Sequence, residues 1–134
     1  MTAAQKPAIL EGVKIVDLTS VVFGPLATQM LGDLGADVIK IEPPGLGDPA
    51  RSFAKMLGGD LDMNPPFEMD NRSKRSIAID VSKPEGREIA LELVDGADVF
   101  LSNVRQAGLR RLGFDEMLSS MRGMSMKMET WTSS

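Results

Sequence analysis

The chain has 134 residues, 25% of them charged and 43% hydrophobic, with a formal net charge of −4. That is enough for one domain, or one lobe of a larger one, and the negative balance argues against a general binder of nucleic acid or anionic membrane surfaces. Cysteine and histidine are both absent, which excludes disulfides, thiolate nucleophiles, cysteine-ligated metal and the commonest general base.

The first residues, MTAAQKPAILEG, carry no apolar signal-peptide core, and no stretch reaches the roughly 20 apolar residues of a membrane span. A cytoplasmic protein is the expectation. GVKIVDL, Gly12 to Leu18, is a β-branched run that predicts a buried strand. The chain then turns at Gly24-Pro25, and apolar residues at Leu26, Ala27, Met30, Leu31 and Leu34 predict a helix over Pro25–Leu34 with that stripe facing inward. Pro25 suits the first helical turn, and Gly35 suits a left-handed stop. ADVIKIE, Ala36 to Glu42, is the second predicted strand, halted by Pro43-Pro44.

Pro44 to Pro66 contains four glycines and predicts a long loop with one helical turn around Ser52 to Leu57. Within it, GLGDPAR imitates a nucleotide glycine loop, but the last glycine of G-x-G-x-x-G is missing, so the dinucleotide fingerprint fails. RSIAIDV, Arg75 to Val81, is the third predicted strand. Ser82 and Glu85 then have the spacing of a capping box for a helix over Pro84–Val94 whose inner face carries Ile89, Leu93 and Val94. ADVFLSN, Ala97 to Asn103, is the fourth strand, followed by a short helical segment in GLRRLGFDEML.

This order predicts an α/β fold: a Rossmann-like parallel sheet with flanking helices and right-handed crossovers. Ligands of such sheets gather at the carboxyl ends of the strands. Those ends are the neighbourhoods of Thr19, Glu42, Val81 and Asn103. Arg72, Lys74 and Arg75 in NRSKRS form a local positive patch in an acidic chain, either a magnet for phosphates or a solvated start of a strand.

Two stretches, LEGVKIVDLTSVVFGPLATQMLGDLGADVIKIEPPGLGDPAR and NRSKRSIAIDVSKPEGREIALELVDGADVFLSNVRQAGLRRLGFD, carry a resemblance to the amino-terminal part of the family III coenzyme A transferases. That family includes formyl-CoA transferase, carnitine CoA-transferase and the α-methylacyl-CoA racemases. The resemblance implies that residues 1–116 form the amino-terminal part of the large domain. It implies CoA or acyl-CoA as substrate rather than a tightly bound cofactor, a carboxylic acid acceptor, and an interlocked homodimer with no nucleic-acid or membrane partner.

By the same resemblance Val22 and Phe23 contact the adenosine–pantetheine part of CoA, the other reading being that they are core residues at a strand–helix corner. Ile79, Asp80, Val81 and Ser82 line the adenine site, Asn103, Val104 and Arg105 lie beside CoA, and Arg111 meets a phosphate, to which a guanidinium fork is suited. Departures from the family pattern are Pro43, where some members carry a basic residue, and Gln106-Ala107 in place of Pro-Gly.

Family members use an aspartate that attacks the acyl-CoA thioester. None of Asp17, Asp33, Asp37, Asp48, Asp80 and Asp98 occupies its place, so no catalytic residue and no metal ligand is assigned. Three readings stay open: the amino-terminal portion of a CoA-transferase (or of a racemase-like relative), a CoA- or nucleotide-binding module without chemistry, and an inactive gene fragment. Residues 117–134, rich in Met, Ser and Thr, lack the strand with which family members continue. They are expected to be a disordered tail left by a shifted frame or a cut gene.

Overall fold

A computed structural model describes residues 9–56, 58–59 and 64–114; the expected tail, 117–134, lies outside the described residues. The chain divides into two compact units, Met1–Asn103 and Val104–Ser134.

The first unit is built on four parallel strands, β1 (Lys14–Leu18), β2 (Asp37–Glu42), β3 (Lys74–Ala78) and β4 (Val99–Ser102), in the order β3-β2-β1-β4. Helix α1 (Phe23–Asp33) joins β1 to β2, and α4 (Pro84–Asp95) joins β3 to β4. Between β2 and β3 lie a 3-10 turn (Pro49–Ser52), α2 (Phe53–Met56) and α3 (Pro65–Asn71). The α/β parallel sheet expected from the sequence is the observed architecture. Ile15, Ala36 and Val38 are buried together, with Leu10, Val13, Leu31 and Val99 packed around them.

Helix α1 ends as its sequence predicts. Gly35 takes φ +105°, its amide donates to the Gly32 carbonyl, and the Ala36 amide reaches back to that of Leu31, a Schellman closure. The faces of α1 are a different matter. Its buried residues are Pro25, Thr28, Gln29 and Gly32, while Leu26, Met30 and Leu34 of the expected inner stripe are exposed and Leu31 packs on the core. The cause is Asp17, a wholly buried carboxylate on β1, which draws the Thr28 hydroxyl inward at 2.6 Å. A buried charge needs hydrogen bonds more than it needs apolar neighbours.

Two other expectations shift. Strand β3 stops at Ala78; Ile79 adds one more ladder hydrogen bond, and Asp80 to Lys83 form a turn rather than a strand end. The capping box is also absent: Lys83, not Ser82, is the N-cap of α4, and it makes no side-chain cap. Pro84 fills the first helical position and so sets the cap one residue later than the Ser82-Glu85 spacing suggests. The inner face of α4 carries Ala90 and Val94, with Ile89 exposed. Helix α3 begins at Pro65, in the last two residues of the stretch read as loop, continues to Asn71 and buries Phe67.

The second unit contains α5 (Gln106–Arg111), with Leu109 and Phe114 buried. Gly113 at φ +77° lets the Phe114 amide return to the Leu109 carbonyl.

Candidate functional site

The chain runs from β1 to β2 to β3 on one side of β1 and then returns to β4 on its other side. Strand order therefore reverses between β1 and β4, the point where open α/β sheets place a ligand crevice outside the carboxyl ends of their strands. The turn after β1 is held there from both sides. Asn103, just past β4, donates from Nδ2 to the Ser20 carbonyl at 2.8 Å and accepts the Ser20 amide on Oδ1 at 3.1 Å. From the β2 side, Lys40 Nζ donates to the Thr19 carbonyl at 2.8 Å. Lys40 also pairs with Asp48 at 2.8 Å, both side chains being 1% exposed.

Asp48 in turn accepts the amides of Val21, at 3.1 and 3.3 Å to its two oxygens, and of Ala50 at 2.9 Å. Glu42, at the end of β2, closes the loop that carries Asp48. It accepts the Asp48 amide at 2.9 Å, a two-pronged contact from Arg51 at 2.7 Å on each prong, and the Ser76 hydroxyl at 2.6 Å. Burial alone would raise the Glu42 pKa, but the Arg51, Ser76 and Asp48 donors outweigh it and hold it at about 2. The guanidinium of Arg51 also lies 3.7 Å over the Phe67 ring, so α3 supports the same loop. GLGDPAR is thus a lock rather than a phosphate cradle.

Beneath the turn, Asp17 accepts from the Thr19 amide, the Thr19 and Thr28 hydroxyls and Lys74 Nζ. Burial pulls the Lys74 pKa down, against the opposing pull of Asp17. This corrects the phosphate-magnet reading of NRSKRS. Lys74 is buried on Asp17, while Arg72 is paired with Asp33 and Arg75 with Asp37. They stand at the amino end of β3, away from the carboxyl edge.

Of the residues singled out from sequence, Val22 and Phe23 stand at the carboxyl edge, 39% and 86% exposed, so the alternative reading of both as core is corrected. Ile79 is buried, and its amide prolongs the ladder to the Glu42 carbonyl at 2.9 Å. Asp80 turns back to accept the Ser82 amide and hydroxyl, contacts that lower its pKa. Val81 is half-buried and Ser82 exposed. Through Ser20 the structure brings Asn103 to the turn that presents Val22 and Phe23. In the second unit Val104 is half-buried, and Arg105, at the N-cap of α5, and Arg111, at its end, are exposed.

Sequence reasoning missed the roles of Lys40, Glu42, Asp48 and Arg51 in holding the turn. The available signal was two charged residues alternating inside an otherwise apolar strand, followed by an aspartate and an arginine in a glycine-rich loop. A groove of about 290 Å³ lies at the opposite, amino-terminal end of the strands, lined by Lys14, Val16, Ile39, Arg75 and Leu93 among others; it does not coincide with this site.

The profile of CoA-transferase family III matches residues 10–122. The chain belongs to that family. It is 40% identical over 124 residues to the (R)-2-hydroxy-4-methylpentanoate CoA-transferase of Clostridioides difficile, covering 87% of this chain and 30% of that protein. It is 45% identical over 104 residues to the human succinyl-CoA:glutarate CoA-transferase, covering 78% and 23%. Among solved structures, a CAIB/BAIF family protein from Brucella suis superposes with a TM-score of 0.73 at 40% identity, covering 84% of this chain and 30% of that one. The chain spans less than a third of the length of these relatives. Among the described residues, no helix is long and apolar enough to cross a membrane.

Proposed function

We propose that this chain supplies the CoA-binding part of an acyl-CoA:carboxylate CoA-transferase. The observation that carries the reading is the turn after β1, held at the switch point of the sheet with Val22 and Phe23 turned outward. A flexible pantetheine arm offers apolar length, and an exposed apolar pair on a rigid turn suits it. The main chain of Ile79 to Ser82 is proposed to meet the adenine edge, and Asn103, Val104 and Arg105 to flank CoA. Arg111, whose planar fork matches phosphate geometry, is proposed to meet a phosphate. Relatives with acyl-CoA:acid transferase names support the substrate class: an acyl-CoA and a carboxylic acid acceptor, with CoA not resident between turnovers. An interlocked homodimer, in the cytoplasm, completes the proposal.

No carboxylate of this chain is assigned the nucleophile's role. Asp17 and Asp48 are engaged by buried lysines, and Asp33 and Asp37 by arginines, whereas an attacking carboxylate needs a free oxygen facing the thioester. Titration with CoA tests the reading. Arg111→Ala is expected to weaken CoA binding about tenfold or more, the worth of a charge-assisted hydrogen bond to phosphate. Equal affinity in the variant removes the phosphate role.

A further inference from the structure

Val21 is the second observation of consequence at this site. It takes φ +78°, a conformation that a β-branched residue adopts only when its surroundings compel it. The compulsion is visible. The Val21 amide is received by Asp48, Asp48 is fixed by Lys40, and Lys40 simultaneously holds the Thr19 carbonyl on the other side of the turn. Asn103 grips the intervening Ser20 through both its amide and its carbonyl. Three successive residues, Thr19 to Val21, thus have main-chain polar groups bound by side chains from β2, from the loop after it and from the end of β4. The outcome is an outward Val22-Phe23 pair, Phe23 being 86% exposed. Neither the strain nor the exposure helps the fold, and glycine would take this backbone freely. Strain that persists at a ligand crevice is a mark of preorganisation.

We propose that Asp48, seated by Lys40, is a positioning residue: it holds Val21 in the left-handed conformation so that Val22 and Phe23 are presented to the pantetheine arm of CoA. This inference rests on the reading of the site as a CoA site. Without the clamp the turn samples other conformers, and apparent affinity falls in proportion to the fraction still competent.

The test uses the whole chain, Asp48→Asn, and Asp48→Asn combined with Val21→Gly, each assayed below its own melting temperature. Asparagine keeps the size of Asp48 but turns an amide or a neutral oxygen toward the Lys40 ammonium. The Val21 amide is expected to exchange with solvent at least about tenfold faster in Asp48→Asn, and CoA binding to weaken by roughly tenfold. The added glycine, which adopts positive φ without being held, is expected to recover most of the lost affinity. General destabilisation would not be repaired by a change at residue 21 alone.

Unchanged exchange at Val21 overturns the clamp itself. Faster exchange with unchanged CoA affinity, or lost affinity that glycine does not restore, overturns its positioning role. Wild-type protein that binds no CoA at millimolar concentration overturns the CoA reading, and the exchange measurement then still decides whether the clamp exists.

Discussion

Asp17→Ala is expected to cost about 3–5 kcal/mol, the range for breaking a buried ion pair by removing one partner. Asp17 is fully buried, and the substitution leaves Lys74 Nζ, 2% exposed at the side chain, with only the Pro25 carbonyl at 2.8 Å and the Asn71 side-chain oxygen at 2.9 Å. Neutral oxygens do not offset the desolvation of an ammonium as a carboxylate does. The loss also removes the Thr28 contact that fastens α1 to β1 and the Thr19 hydroxyl contact within the turn after β1. Adding Lys74→Met is expected to recover a large part of the loss, because the stranded charge is then gone. Denaturant titration measures both. A single variant within about 1 kcal/mol of wild type, or a double variant no better than the single, contradicts this account of the buried pair.

The second large effect is a loss of stability in acid through Glu42. Its folded pKa, about 2, lies below the ordinary 4.5, so the folded state favours the ionised form. The associated stability is fully present above about pH 4.5 and is lost as pH falls from there through 2. At about 1.4 kcal/mol per pKa unit the contribution is on the order of 3 kcal/mol. Glu42→Gln removes the titration. The gap in melting temperature between wild type and Glu42→Gln is therefore expected to be widest near neutrality and to close as pH approaches 2. A gap that stays constant from pH 7 to pH 2 contradicts the assignment.

The sheet was legible in the sequence because each strand is a short β-branched run bounded by Gly, Pro or Asp, and because prolines and Gly35 mark helix starts and a stop. The facing of α1 was not. An apolar stripe such as Leu26, Met30 and Leu34 reads as inward by periodicity, yet periodicity carries no knowledge that a carboxylate waits on the sheet at Asp17. Helix α3 was missed because its first two residues, Pro65 and Pro66, closed the stretch read as loop, and two consecutive prolines read as loop unless one sees that they occupy the first turn of a helix. The strand expected to reach Val81 ends at Ala78 because Asp80 and Ser82 bond each other in a tight turn. Such local competition leaves no periodic trace.

The site divides in the same way. The turn after β1 and the position of Asn103 were legible, because the carboxyl ends of parallel strands follow from element order alone. What holds the turn was not. Lys40 and Glu42 alternate with apolar residues along β2, a pattern that ordinarily marks a solvated face; only the folded loop shows that Asp48 and Arg51 come back to bury them. NRSKRS misled for the opposite reason. Three cations close together in sequence looked like one patch, but Lys74 points into the protein while Arg72 and Arg75 are matched by Asp33 and Asp37.

The central claim is that CoA binds at the carboxyl edge of this sheet, and amide chemical-shift mapping of the isotopically labelled chain during CoA titration tests it most directly. The account predicts saturable shifts at Ser20 to Phe23, at Ile79 to Ser82 and at Asn103, with Lys14, Asp37 and Arg75 at the far end of the strands unmoved. Shifts confined to those far-end residues and the groove they line, or none at saturating CoA, would contradict it.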